Sequence, residues 1–382
     1  MEKQIFFVLF TIMVFSYNSS GCISSYHDSP EKEIDEGGDS IAKMELNPNG
    51  TILAIQHRHA KVTFRNMSTY RKVHQLPGKD SFHCGIAWSP DGKLFASTHH
   101  DMGINIWNVS DWTKITTLIG YSETQSSIIL NDLVWSPNGT YLVSCSRGDG
   151  YGIQIWKTSD WSLEKNLGSY YNYFSIDYNP KYDLLVGSTF GNQLRVWNTT
   201  NWKEVETFDA HNDSIMDVKW SPDGKKLASG SKDKLVRIWR TWSWELIREL
   251  SGPSDMINAL AWSHDGKRLA AGTSAPRNWL IDPSEYDPIR IWDTEIWEEV
   301  VIINGGYSVY ALIWSNDDNK LLTASHDRKI RVWDVSKNYG YNFSFVEVIA
   351  IDVLLISVII GLAVHFRRKS KEGKIGPLPR KK

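Results

Sequence analysis

Short runs of alternating apolar and polar residues recur along most of the chain. "LVRIW", "IRIW", "IRVW" and "INIW" place apolar side chains at every second position, the period of a half-buried strand. The stretch WSPDGKKLASGSKDKLVRIW, from Trp220 to Trp239, shows the larger unit. A strand ends at Trp220, a Pro-Asp-Gly cluster reverses the chain, "KKLASGS" forms a second strand, and "LVRIW" a third. Taking Pro222 as marker, copies fall at Pro48, Pro90, Pro137, Pro180, Pro222, His264 and Asn316, spaced 42, 47, 43, 42, 42 and 52 residues apart.

Three aromatic series ride on this repeat. Two residues before each marker stand Leu46, Trp88, Trp135, Tyr178, Trp220, Trp262 and Trp314. Trp107, Trp156, Trp197, Trp239, Trp292 and Trp333 close the third strand, and Trp112, Trp161, Trp202, Trp244 and Trp297 follow five residues later, opening an outer strand. Together they account for 16 of the 18 tryptophans, a distribution that assigns them to packing rather than chemistry. One four-stranded unit of this length cannot bury both faces, whereas a ring of stacked units can. The pattern predicts an all-β, seven-bladed β-propeller.

The repeat resembles the WD-repeat β-propeller family over roughly residues 39–337. The resemblance implies a blade lock made of His, Ser, Asp and Trp, which one repeat matches in full through His211, Ser229, Asp233 and Trp239. Asp101 and Asp327 fill the Asp position in two others, and the first repeat is degenerate, with His59 and Arg65 in the Asp and Trp positions. The resemblance also implies a ring closed by strands from both chain ends. Residues near 28–34 or near 339–345 are the candidates for the closing strand.

The two ends change the picture. Lys3 precedes an apolar run from Ile5 to Tyr17, a secretory signal pattern too short to span a bilayer. Residues 345–366 are 22 long, 15 of them Phe, Val, Ile or Leu, and are followed by eight Lys or Arg against one Glu. That combination predicts a transmembrane helix with a cytoplasmic tail. Asp352 is either tolerated two turns into that helix or paired with a polar residue of a partner helix. The expected order is a signal peptide over 1–21, a linker over 22–38, the propeller over 39–344, the helix over 345–366 and a basic tail over 367–382. The propeller then faces away from the cytoplasm, in a cell-surface or secretory-pathway membrane. "SSGC" around Cys22 is a weak lipobox-like ending, and Cys84 and Cys145 are read as buried free thiols, a disulfide between them being left open.

Residues 23–344 carry 33 Lys or Arg against 40 Asp or Glu, so this segment has no electrostatic footprint for nucleic acid. N-x-S/T sequons occur at Asn18, which would leave with the signal, and at Asn49, Asn66, Asn108, Asn138, Asn198, Asn212 and Asn342. Turn chemistry explains them equally, since Asn suits turns as Asp does. Asn49, Asn66, Asn108, Asn138 and Asn198 fall in two turn types that share one propeller face, so glycans there would leave the opposite face open.

No phosphate loop, zinc motif or catalytic constellation is legible, and neither an enzyme nor a cofactor is expected. His57, His59, His83, His99 and His100, with Cys84 nearby, are read as solvated loop residues rather than as a metal site. The better binding candidates are aromatic and acidic. The sixth repeat carries an insertion, "SAPRNWLIDPSEYDP", with Trp279, Asp282, Glu285, Tyr286 and Asp287, and the loop before the fourth blade adds Tyr170, Tyr171 and Tyr173. Such clusters are what interface hot spots use. The sequence reads as a membrane-anchored propeller binding protein partners outside the cytoplasm. The alternative is an enzyme or small-ligand binder using the central channel, for which no converging polar set is visible in the sequence.

Overall fold

The computed structural model describes residues 25–27, 29–58, 61–78, 85–99, 103–120, 129–148, 152–168, 171–253, 255–274, 289–303 and 307–336. They form seven antiparallel sheets, six of which run in order from inner to outer strand along the chain. These are blades one (41–76), two (86–118), three (129–167), four (173–209), five (215–250) and six (257–303). The seventh takes its three inner strands from Val309–Trp314, Lys320–Ser325 and Lys329–Asp334, and its outer strand from Lys32–Asp35. The seven-bladed architecture read from the repeat is the one observed.

Closure therefore comes from the N-terminal side. Lys32, Glu33, Ile34 and Asp35 pair antiparallel with Val332, Arg331, Ile330 and Lys329. Residues 22–38 are thus not a plain linker. Ser25–His27 also adds a strand, parallel to the outer strand of blade six. Ile34 alone of its strand is buried, and it joins a core cluster with Ile41, Leu53 and Leu322. Residues 339–345, the other candidate, lie outside the described residues, as do 345–366. Among the described residues no helix is long and apolar enough to cross a membrane.

Each tryptophan series has its own duty. In the first, four of the five tryptophans hand the indole N–H to the preceding blade, while that of Trp88 is buried without a partner among the described residues. Trp135 donates to the Ala87 carbonyl at 3.2 Å, Trp220 to Asp177 at 3.3 Å, Trp262 to Lys219 at 3.0 Å and Trp314 to Ala261 at 3.0 Å. A Leu or Phe would fill the gap without that bond. Four of the second series donate within their own blade, Trp107 to Ser97 at 2.9 Å, Trp156 to Ser144 at 3.2 Å, Trp239 to Ser229 at 2.9 Å and Trp333 to Thr323 at 3.1 Å.

The third series differs from its sequence reading. These residues do not open the outer strand; they sit in the turn before it, with φ of 58° at Trp112, 61° at Trp161, 56° at Trp202, 57° at Trp244 and 60° at Trp297. Tyr70 holds the same place in blade one at 57°. Left-handed backbone at a bulky residue costs about 1–2 kcal/mol. Ring packing offsets it: Trp112 lies 4.2 Å from Phe64, Trp161 6.0 Å from Trp135 and Trp244 6.1 Å from Trp220, centroid to centroid.

The full blade lock is present in blade five. Trp239 donates to Ser229 Oγ at 2.9 Å, Ser229 lies 2.8 Å from His211 Nε2, and His211 Nδ1 lies 3.0 Å from Asp233 Oδ2. One proton direction satisfies all three contacts: indole to hydroxyl, hydroxyl to Nε2, and Nδ1–H to carboxylate. Burial opposes ionisation of Asp233, but the His211 bond and the backbone N–H groups of Asn212 and Leu235 outweigh it and hold the carboxyl down to about 2. Blade one uses a different device. Arg65 bonds the Glu36 carboxylate, and His57 Nε2 stands 3.7 Å from Glu36 and 3.2 Å from Thr63 Oγ1. His57 is fully buried, so it is not a solvated loop histidine, and burial pushes its pKa down. Asp327 pairs instead with Arg331, while His59 and Asp101 lie outside the described residues.

Candidate interaction face and central channel

Antiparallel order puts the turns between first and second strands, and between third and outer strands, on one face. Contacts between the two turn types confirm it, as Thr158 Oγ1 donates to the Gly139 carbonyl at 2.7 Å and Thr241 Oγ1 to Gly224 at 2.7 Å. Asn49, Asn66, Asn108, Asn138 and Asn198 lie in these turns. Their carboxamide oxygens hold the turn: Asn138 accepts from Thr140 N at 3.0 Å, Asn108 from Ser110 N at 3.0 Å and Asn198 from Thr200 N at 3.0 Å. Asp91 and Asp160 do the same for Lys93 and Ser162. Turn geometry alone thus accounts for the sequon residues. Asn212 is exposed on the opposite face, and Asn342 lies outside the described residues.

That opposite face carries the connections between second and third strands. Here six inner strands share a feature the sequence reading missed. Each holds a β-bulge near its start, and the extra residue lines the channel mouth: Ala42, Asn131, Phe174, Met216, Asn258 and Tyr310. A bulge re-aims one side chain out of the alternation. The signal was available, because each residue stands four before its first-series position.

Two of these residues anchor exposed aromatic groups. Phe174 stacks on Phe190 at 5.2 Å and 23°, and Lys232 reaches over both rings, 5.9 and 5.3 Å from their centroids. Phe190 is 49% exposed despite its size. Across the mouth, Tyr310 packs near His326 at 6.1 Å with Arg58 over its ring at 5.2 Å. Cations over aromatic faces at a rim combine apolar area with positive charge.

The sequence candidates divide. Tyr171 is 42% exposed, with Arg195 4.0 Å from its ring centroid. Tyr173 is a correction: it is fully buried in the core of blades three and four, over Gly187, and presents nothing to a partner. The alternation of its strand required this, since Tyr173 and Ile176 both turn inward around the bulge at Phe174. Tyr170, Trp279, Asp282, Glu285, Tyr286 and Asp287 lie outside the described residues.

The channel, about 640 Å³, holds the polar set that was not legible in the sequence. Lys43 of blade one bonds Asp132 of blade three across it, and Ser175 Oγ lies 3.1 Å from Asp132 and 2.9 Å from Asp217. Carboxylates also tie blade to blade through backbone N–H groups: Glu45 accepts from Trp88 at 3.0 Å, Asp177 from Trp220 at 2.7 Å and Asp217 from Leu260 at 2.8 Å. Burial pushes Asp177 up to about 6 against the pull of Lys219 and the Trp220 N–H. It likewise raises Glu45 and lowers Lys43. For Lys219 burial acts downward, but Asp217, Asp177 and Glu45 together hold it above its ordinary value. Blades two, six and seven contribute Ile86, Ala259, Ala261, Ala311 and Ile313 instead, so the channel charges come from blades one, three, four and five.

Among the described residues no three His, Cys, Asp or Glu group as metal ligands. Cys145 is a buried free thiol pushed up to about 12 by burial, and Cys84 lies outside the described residues.

Comparison with known proteins agrees with this architecture. The WD domain, G-beta repeat family matches residues 70–108, 112–157, 202–240, 244–275 and 297–334, more than half of the chain. The chain belongs to the WD-repeat family. WD repeat-containing protein AAC3 of Dictyostelium discoideum is 33% identical over 167 residues, covering 42% of this chain and 34% of that protein. COMPASS component SWD3 of Saccharomyces cerevisiae is 28% identical over 148 residues, 38% of this chain and 45% of that protein. Transcriptional corepressor LEUNIG_HOMOLOG of Arabidopsis thaliana is 26% identical over 364 residues, 82% of this chain and 44% of that protein. The matches thus span less than half the length of each of these three relatives.

Proposed function

We propose that this propeller is a protein-interaction platform whose working surface is the face carrying the second-to-third-strand connections. The observation that carries the proposal is the stack of half-buried Phe174 on exposed Phe190 under Lys232 at the channel mouth. Exposed aromatics beside a cation offer area and polarity together, as interface anchors do. The relatives named as a complex component and a corepressor support a role in assembly. In the sequence, the insertion with Trp279, Asp282, Glu285, Tyr286 and Asp287 falls between the second and third strands of blade six, and its aromatic and acidic residues remain partner candidates. Replacing Trp279 and Tyr286 by Ala is expected to keep the melting temperature and weaken partner capture by about 2 kcal/mol or more. Equal capture of the same partners places the binding surface elsewhere.

The membrane placement belongs to the same proposal. Its support is the apolar segment 345–366, the basic tail and the signal-like start. Protease added to intact cells is expected to remove the propeller and spare the tail; a protected propeller contradicts it. Glycans on Asn49, Asn66, Asn108, Asn138 or Asn198 would cover the opposite face and leave the aromatic one free. A second reading, a small-molecule site in the channel, is favoured by the mixed charges of Lys43, Lys219, Asp132 and Asp217. Its test is calorimetry of the full chain with zwitterionic amino acids, against a Lys219→Ala, Asp217→Asn variant. Heats absent from the parent end that reading.

A further inference from the structure

On the sequon-bearing face a second cavity, about 470 Å³, opens between the first turns of blades three and four. Its residues break the internal repeat. Tyr178 stands where five other blades have Trp. The turn after it reads Asn179-Pro180-Lys181-Tyr182-Asp183 where blade five has Ser221-Pro222-Asp223-Gly224-Lys225. Tyr182 thus takes the place of a glycine whose φ is +70°, and Asp183 that of a lysine. Tyr178 and Tyr182 pack against the core clusters of adjacent blades, and such departures from a regular repeat are where a site is expected.

The chemistry of the cavity is neutral and hydroxyl-rich. Tyr178 is 7% exposed, and its hydroxyl has no hydrogen-bond partner among the described residues. Tyr178 lines the cavity, and Tyr141 and Asp183, its electrostatic neighbours, line it too. A buried phenol without a partner loses the bond it would make to water or ligand. Asn179 fixes the wall by accepting from the backbone N–H groups of Lys181 and Tyr182, both at 3.0 Å. Trp242, 62% exposed, stands edge-on to Tyr182 at 4.7 Å and extends the aromatic surface. Lys181 and Asp183 balance in charge, and Thr199 and Thr200 add hydroxyls.

Aromatic faces, a carboxylate and hydroxyls around a neutral opening match a ring that has apolar C–H faces and an equator of hydroxyl groups. We propose that this cleft binds a hexose ring of a neutral carbohydrate, recognised by Tyr178, Tyr141, Tyr182 and Asp183. Asp183 accepts from adjacent sugar hydroxyls, and the tyrosines supply ring faces and a donor. The sugar has two possible sources: a glycan carried on Asn138, which borders the cavity, or a free or partner-borne glycan.

The test uses full-chain protein from a bacterial host, which adds no glycan to these sequons. Glucose, mannose, galactose and N-acetylglucosamine are offered singly, and binding is read by saturation-transfer NMR. At least one is expected to bind with roughly millimolar affinity. The Asp183→Asn, Tyr178→Phe double variant is expected to bind it about tenfold or more weakly, at an unchanged melting temperature. No transfer from any of the four at about 50 mM, or equal affinity in parent and double variant, overturns the proposal. The source is read with protein from a glycosylating host. If the glycan on Asn138 fills the cleft, that protein ignores added sugar and its Asn138→Gln variant binds it. If the ligand is external, both bind.

Discussion

At the residue scale the recurring tryptophans divide by where their N–H goes. Trp239 closes the chain from Ser229 through His211 to Asp233. Trp239→Ala is expected to lower stability by about 3–5 kcal/mol in denaturant unfolding, the scale for truncating a large buried aromatic. Asp233 and Asp177 give opposite pH signatures. The folded pKa of Asp233 lies near 2, below an unfolded value of about 3.9, so its stabilisation is complete above about pH 4 and disappears as pH falls through about 2. Asp233→Asn is expected to melt below the parent at pH 7 and with it near pH 2. Asp177 is raised to about 6, so its ionisation weakens the fold as pH rises from about 4 through 6. Asp177→Asn keeps an acceptor for the Trp220 N–H and is expected to gain on the parent across that window. Melting curves at four pH values check both signs.

The residues that fill the ring were legible because they repeat; those that face its axis were not. At the position before the first aromatic series stand Glu45, Ala87, Val134, Asp177, Lys219, Ala261 and Ile313. No repeat-based reading assigns such a mixture to one place, and only the ring brings Lys43 to Asp132, 89 residues away. Tyr173 was misread for a related reason. It sits in an aromatic-rich stretch, and only the bulge at Phe174 decides which aromatic faces out.

At the element scale the closing strand shows why charged sequence hid structure. Lys32–Asp35 has one buried residue in four, Ile34, because an outer strand meets solvent on most sides. Its charges are used: Glu33 pairs with Lys329 and lies 3.2 Å from Arg331, and Glu31 lies 2.9 Å from Lys320. Exposed pairs of this kind contribute only about 0–1 kcal/mol each, so Ile34 carries most of the grip. Ile34→Asp is expected to lower the melting temperature by several degrees. The same substitution at Val205, 47% exposed on the outer strand of blade four, is expected to change it little. Equal melting of the two variants places ring closure elsewhere.

At the scale of the whole molecule, repetition and departure from it separate framework from function. The framework is the seven sheets, the interblade indole bonds and the left-handed turn aromatics. Departures cluster at the Phe174–Phe190 rim, among the channel charges of blades one, three, four and five, and in the cleft beside Tyr178. The rim faces away from the turns of Asn49, Asn66, Asn108, Asn138 and Asn198 and carries exposed aromatic area, which is why we propose it as the surface for partners. The most direct measurement is quantitative partner capture by full-chain protein bearing Phe190→Ala and Lys232→Glu. The control is Lys93→Glu, whose side chain is 80% exposed in a turn of the opposite face. The rim variant is expected to lose about thirtyfold in affinity at an unchanged melting temperature, while the control binds as the parent does. Full binding by the rim variant, or the same loss in the control, contradicts the account.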